Sequence, residues 1–371
     1  MNARRHVAAL MIAGLGVAAC GGGSGDTSAS TTLDVTTPPT VTAPGTSTPA
    51  STAPETTAAP ATTVPVTEPS STAAPVPTFP LTGLPIGDPN LAARPALAVK
   101  INNHENARPQ AGLNQADIVY EEIVEGITRF FVIFHSQDAA PIGPVRSART
   151  TDVDLLNQLN RPLFAWSGGN RGVVNAIANA NAESRAHGQA PGYYRDQERR
   201  KKYAVEHTLF NEGTAVLYTT ANLAQGLPKP FFAYRAAGEE AAGDPATGIA
   251  GKMLISWTWT WEGASGQWVR TEYGAPHVDT TGANIAFENV VVQFVNYRPS
   301  PATASSPEAV TVGFGEAWVF TGGKVIKAIW ERPDAAEPAK FHTESGEPIK
   351  LTPGRTWIEL AEAGVSDITW S

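Results

Sequence analysis

The first patterned stretch of the chain is an uninterrupted apolar run from Val7 to Ala19, preceded by Arg4 and Arg5 and closed by Val17-Ala18-Ala19-Cys20. Apolar patterning then vanishes until about Arg94, where short apolar runs begin to alternate with amphipathic ones. Ala96 to Ile101 follows a proline and ends in the turn-prone Asn102-Asn103-His104, which predicts a buried strand. Asp117 to Glu125 alternates less cleanly, Thr128 to His135 reads as a strong strand, and Gly126 between them predicts a hairpin. Val153, Leu156 and Leu159 are spaced for a short helix over 152–159, with Thr150 or Thr151 as its N-cap. Pro162 to Trp166 predicts a strand running into Ser167-Gly168-Gly169, and helices follow over Val173 to Ala180 and Gly213 to Leu223. Strands separated by helices give an α/β layered domain over 80–235.

Residues 236–250, rich in Ala, Gly and Glu, read as a linker. Beyond them the pattern is almost all strand: Met253 to Trp261, Gln267 to Glu272, Asn289 to Tyr297, Ala309 to Phe320, Lys324 to Glu331 and Thr356 to Leu360, with Gly322-Gly323 as a two-residue hairpin turn. This predicts a mainly antiparallel β domain over 251–371, and an α+β class for the folded part as a whole. Trp257, Trp259 and Trp261 alternate with polar residues, so three indoles share one strand face, as a sandwich core or as a sugar-stacking surface.

Composition explains the unpatterned interval. Between Gly21 and Phe79, 43 of 59 residues are Ala, Ser, Thr or Pro, with four acids and no Lys or Arg. Such a segment cannot bury a core and reads as a tether, about 180 Å at full polyproline reach. The thirteen apolar residues ahead of it are too few to span a bilayer and form a signal peptide over 1–19. Small residues just before a Cys are what lipoprotein signal peptidase requires, so Cys20, the single cysteine of the chain, is the acylation site. The expectation is a protein held on the extracytoplasmic face of the cell membrane by lipid alone. From Pro80 onward 25 basic residues face 31 acidic ones, which disfavours nucleic acid as a partner. Neither GxGxxG nor GxxxxGK[ST] occurs, and no cofactor is expected.

Several longer strings resemble a known family. Arg108-Pro109-Gln110-Ala111-Gly112-Leu113, Gln115 to Glu121, Glu125 to Arg129, and Gly143-Pro144-Val145-Arg146-Ser147-Ala148-Arg149 are similar to the YerB-like bacterial lipoproteins. So are Tyr273 to Asp279, the Gly322-Gly323-Lys324 turn and Leu351 to Ile358. The resemblance runs from Leu81 to the end and departs at Gly126-Ile127, where a second glycine is expected. It implies two adjoining domains on a lipid-anchored envelope protein and supplies no activity or catalytic residues.

The candidate chemistry centres on Arg146 and Arg149, which flank Ser147 just ahead of the predicted helix over 152–159. Two guanidinium forks beside free helix-end N–H groups would bind a carboxylate, phosphate or sulfate; equally, both could pair with internal acids as a structural network. Arg129 and Asn103 are assigned to the same ligand site. Glu121 and Glu125 share strand parity with Asp117, interleaved with Val119 and Ile123, and Arg129 is their natural counter-ion. Some 13 Å apart along one strand, the two glutamates are too far separated to act as a glycosidase pair without a carboxylate from elsewhere. His207 is the best general base, making Glu121, Glu125 and His207 the catalytic candidates if the protein is an enzyme. The basic run Arg199 to Lys202 beside Tyr193-Tyr194 reads as a solvated loop or an anionic-polymer contact. No GxSxG or HExxH pattern is present, and no metal site is expected. Three functions follow: binding an anionic cell-envelope component such as a cell-wall polymer, hydrolysis or group transfer on an envelope polymer, and a scaffold for envelope protein partners. The first is the leading expectation.

Overall fold

The computed structural model describes residues 76–224 and 226–371. The expected signal peptide, Cys20 and nearly all of the tether lie outside the described residues.

The first half builds β1 (Leu97–Asn102), β2 (Ile118–Ile123) and β3 (Thr128–Phe134), in which every residue is buried. Strands covered on both faces need no polar alternation, which is why LAVKIN and TRFFVIF read as near-continuous apolar runs. β2 and β3 pair antiparallel across the expected turn, where Val124 N–H donates to the Ile127 carbonyl at 2.8 Å and Gly126 takes a φ of 70°. Next come α1 (Thr151–Asn157), β4 (Leu163–Ala165), α2 (Arg171–Ala178) and β5 (Glu183–Ser184). β1, β4 and β5 run parallel to one another. The helix expected over 213–223 forms only as Thr214–Tyr218, because Thr219, Thr220 and Asn222 favour turns over a further helical turn.

The second half supplies β6 (Gly248–Lys252), β7 (Ser256–Glu262), β8 (Gln267–Glu272), β9 (Asn289–Ser300), β10 (Thr303–Val310), β11 (Gly313–Thr321), β12 (Lys324–Arg332), β13 (Lys340–His342), β14 (Thr356–Glu362) and β15 (Asp367–Trp370). β15, β6, β7 and β8 form the body of an antiparallel six-stranded sheet. Together the two halves make an α/β region followed by a mostly antiparallel β region. Within 236–250, Asp244–Pro245 already pairs with β12, and Gly243 approaches the Val325 carbonyl too closely for any side chain.

One strand departs from the antiparallel expectation. β14 runs parallel to β2 on one side and to β9 on the other, so the order β13-β12-β11-β9-β14-β2-β3-β1-β4-β5 is one sheet drawn from both halves. A central strand with no hairpin partner carries no local mark of its direction; Thr356 to Ala361 are all buried, and only its neighbours orient it. One face of the large sheet packs under α1 and α2 through Ala98, Phe131, Leu155, Leu156, Val173 and Ile177. The other packs on the six-stranded sheet through Val99, Val119, Phe130, Trp357, Trp259 and Trp268. Trp257 and Trp259 are buried and Trp261 is partly buried, so this face is a core between sheets.

Candidate functional site

Two clusters of charge grow from the same strand pair. In the first, Glu121 on β2 and Glu359 on β14 are register neighbours whose side chains hydrogen-bond to each other. β8 lowers Arg270 onto them: its Nη2 pairs with Glu121 and lies 3.7 Å from Glu359 Oε1, while Nη1 lies 3.3 Å from Glu272 Oε2. Arg108 closes the cluster on Glu272 at 2.6 Å, and the Trp259 indole donates to Glu359 at 3.1 Å. Glu121, Glu272, Glu359 and Arg270 have no exposed surface. Burial, offset by Arg270 and reinforced by Glu359, pushes the Glu121 carboxyl up to about 8. His277 accepts from Arg270 at Nδ1 and faces Gln110 through Nε2 at 2.9 Å; burial and the Arg270 charge hold it neutral, well below the usual range.

Asn103, expected beside the arginines, belongs to this cluster. Its amide donates to Glu272 at 2.6 Å, to Thr128 at 2.9 Å and to Glu121 at 3.3 Å. The counter-ion of Glu121 is Arg270, not Arg129. Arg270, Glu272 and Glu359 were missed in the sequence, yet a signal existed: Trp268, Arg270 and Glu272 alternate on the buried side of β8, placing charge where the pattern demands apolar residues.

The second cluster lies where β2, β3 and the 143–149 segment meet. Glu125 falls beyond the end of β2 and accepts from Arg149 at Nε (3.0 Å) and Nη2 (2.5 Å), and from Ser306 at 2.5 Å. Partial burial opposes its charge, but these hydrogen bonds outweigh it and hold Glu125 at about 2. Arg129 is 5% exposed; its Nη1 donates to the Ser147 carbonyl at 3.0 Å, and its Nε is buried without a partner. Burial, with Arg149 and Arg146 adding repulsion, lowers Arg129 to about 9. The Arg146 side chain is half-buried and has neither a hydrogen bond nor an ion pair among the described residues. Within electrostatic reach of Arg146 are Glu206, Arg149, Glu125 and Arg195.

The start of α1 does not contribute the free N–H groups expected of it. Thr150 and Thr151 make no cap; Asp152 takes the Arg149 N–H at 2.8 Å and the Lys100 ammonium at 2.8 Å, with Lys100 also on Glu122. His207 Nδ1 faces the Asn102 amide nitrogen at 2.9 Å, and no carboxylate lies within hydrogen-bond distance of its ring among the described residues. Glu121, Glu125 and His207 are therefore not brought together. Of the basic run, Arg199 and Arg200 lie in a short helix, Gln197–Arg200, with Arg199 tucked in and donating to the Ala107 carbonyl at 3.0 Å, while Lys201 pairs with Glu198 at 2.5 Å. Two concavities of about 620 and 380 Å³ lie away from the arginines, one beside Phe314 and Trp318, the other beside Phe232 and Phe341. Neither gathers a cluster of cations, so the charge pattern rather than cavity depth marks the candidate site. Among the described residues no group of His, Cys, Asp or Glu is placed to hold a metal ion, and no helix is long and apolar enough to cross a membrane.

The chain belongs to the proteins of unknown function termed DUF3048, whose N-terminal domain matches residues 81–225 and whose C-terminal domain matches residues 251–358. Among its relatives, "Putative lipoprotein YerB" of Bacillus subtilis (strain 168) is 28% identical over 288 residues, covering 72% of this chain and 81% of that protein. The crystal structure of the Bacillus subtilis YerB protein shares the fold, with a TM-score of 0.67 at 23% identity over 79% of this chain and 99% of that one.

Proposed function

We propose that this chain is a lipoprotein anchored through Cys20 to the extracytoplasmic face of the membrane, and that it binds an anionic component of the cell envelope through Arg129, Arg146, Ser147 and Arg149. The anchor rests on the Arg4-Arg5, Val7 to Ala19 and Cys20 pattern, with the lipoprotein name of the Bacillus subtilis relative in support. The single observation carrying the binding reading is that, among the described residues, Arg129 and Arg146 have no carboxylate within ion-pair distance, although Arg129 is almost fully buried. A buried guanidinium left without a counter-charge is costly, and a bound anion removes that cost. The hydrolase reading needs an acid and His207 in one cleft. Glu121 is instead enclosed beside Arg270, and Glu125 is held by Arg149.

The test is thermal melting of the full-length protein in detergent against phosphosugars, teichoic fragments and muropeptides, alongside an Arg146→Ala, Arg149→Ala double variant. A ligand at about 100 times its dissociation constant adds roughly 2.7 kcal/mol of stability. A shift in the parent that is absent from a folded double variant is the expected result. No shift with any anion overturns the reading.

A further inference from the structure

Two imidazoles extend the arginine cluster. His104 and His207 stack with ring centroids 4.5 Å apart and planes 28° from parallel. His104 Nδ1 accepts the Asn106 N–H at 3.1 Å. His207 Nδ1 meets the Asn102 amide nitrogen at 2.9 Å, and the surroundings fix which way that amide points: Asn102 Oδ1 accepts the His104 N–H at 3.1 Å, while Nδ2 also reaches the Glu206 carbonyl at 3.4 Å. Asn102 therefore donates to His207. A neutral imidazole that accepts at Nδ1 carries its proton on Nε2. Both rings thus present an Nε2–H donor, and neither Nε2 has a partner or is sealed from solvent among the described residues. Burial, with His104 and Arg146 adding to it, holds His207 below the usual histidine range, in keeping with a neutral ring.

We infer that Arg129, Arg146, His104 and His207 together form a receptor for a phosphomonoester dianion, in preference to a carboxylate or a phosphodiester. This rests on the reading above that the arginine cluster binds an anion. Charge balance points to the dianion. Arg149 is bonded to Glu125, whereas Arg129 and Arg146 have no carboxylate within ion-pair distance among the described residues, so a dianion can give each of them a bonded counter-charge and a monoanion leaves one guanidinium without one. The kind of hydrogen-bonding group points the same way. The groups offered are Arg N–H and imidazole N–H, all donors; a protonated phosphate oxygen would need an acceptor, so the lining favours the fully ionised group with its three terminal oxygens. Glu206, the acid that acts most strongly on Arg146, is half-buried and makes no ion pair with it among the described residues. As Nε2–H donors, the two histidines bind rather than abstract protons, which assigns His207 a role other than general base.

The experiment is isothermal titration calorimetry on the full-length protein in detergent at pH 8 and fixed ionic strength, with methyl phosphate, dimethyl phosphate and acetate as probes. Methyl phosphate is expected to bind at least about tenfold more tightly than either monoanion, the equivalent of one unmatched charge–charge hydrogen bond. Arg146→Gln removes that preference. His207→Ala and His104→Ala each weaken methyl phosphate binding about fivefold to tenfold, and His207→Gln, whose amide also donates, restores part of the loss. His104→Ala, on the more exposed ring, serves where His207→Ala fails to fold. Equal binding of all three probes, lost in Arg146→Gln, overturns the dianion inference while the anion site stands. Binding of none overturns both. A phosphomonoester preference untouched by either histidine substitution overturns the four-residue receptor.

Discussion

The two charge clusters differ in balance as well as in burial. Around Arg270, three carboxyl groups face two guanidinium groups, and one proton shared between Glu121 and Glu359 makes the charges equal. Glu121, Glu272, Glu359 and Arg270 have no exposed surface, and every carboxyl faces a guanidinium, although Arg270 Nε and Glu359 Oε2 have no hydrogen-bond partner among the described residues. Around Arg146, three arginines share Glu125 as their one bonded carboxylate among the described residues. The first arrangement joins β2, β14 and β8, which come from three distant stretches of chain, into one body. The second keeps an imbalance that folding gains nothing from. Deep burial of charge is therefore no mark of a site by itself, whereas an uncompensated charge near the surface is.

The sharpest way to break the comparison is to unbalance the Arg270 cluster. Arg270→Met leaves Arg108 alone to face three buried carboxyl groups and is expected to destabilise the protein by about 3–5 kcal/mol in urea denaturation; a loss under 1 kcal/mol would show that the network is not holding the sheets together. Next in size is the pH dependence. The folded Glu121 carboxyl, raised to about 8, holds a proton that the unfolded chain has released above roughly 4.5. Folded protein thus binds more protons between those values, so this contribution to stability is full below about pH 4.5 and is lost as pH rises through 8. Glu121→Gln, neutral at every pH, is expected to flatten the slope of unfolding free energy between pH 5 and 8.5; an unchanged slope would remove Glu121 from the account. The smallest effect is expected in the other cluster. Arg146→Gln relieves repulsion on Arg129 and should leave the unliganded protein within about 0.5 kcal/mol of the parent, or slightly above it. A loss above 2 kcal/mol would make Arg146 a structural residue.

Much of the fold was legible because it follows from local pattern. TRFFVIFH, the Gly126 turn and the 3.6-residue spacing of Val153, Leu156 and Leu159 each state their element within a few neighbours. β14 is the counter-example: WIEL reads as a strand, but its parallel pairing with β2 depends on a contact more than 230 positions away. The site divides similarly. Arg146 and Arg149 stood out as two forks beside a helix start, and the structure keeps them together with Arg129. It also assigns Arg149 to Glu125, fills the helix start with Asp152, and takes Asn103 and Glu121 into the other cluster. No spacing rule distinguishes Arg149, which has a carboxylate, from Arg146, which has none.

What the sequence determined by itself is whatever local chemistry decides: the apolar run from Val7 to Ala19 ahead of Cys20, a composition between Gly21 and Phe79 that cannot bury a core, the sequence of helices and strands, and the tryptophan-rich β half. Only the tertiary structure decided that one sheet runs through both halves, which glutamate meets which arginine, and which way the Asn102 amide turns and so which nitrogen of His207 carries the proton. The physical reason is range. Propensity and periodicity act over a few residues, while charge compensation and hydrogen-bond direction are settled between groups that meet only when distant strands pack.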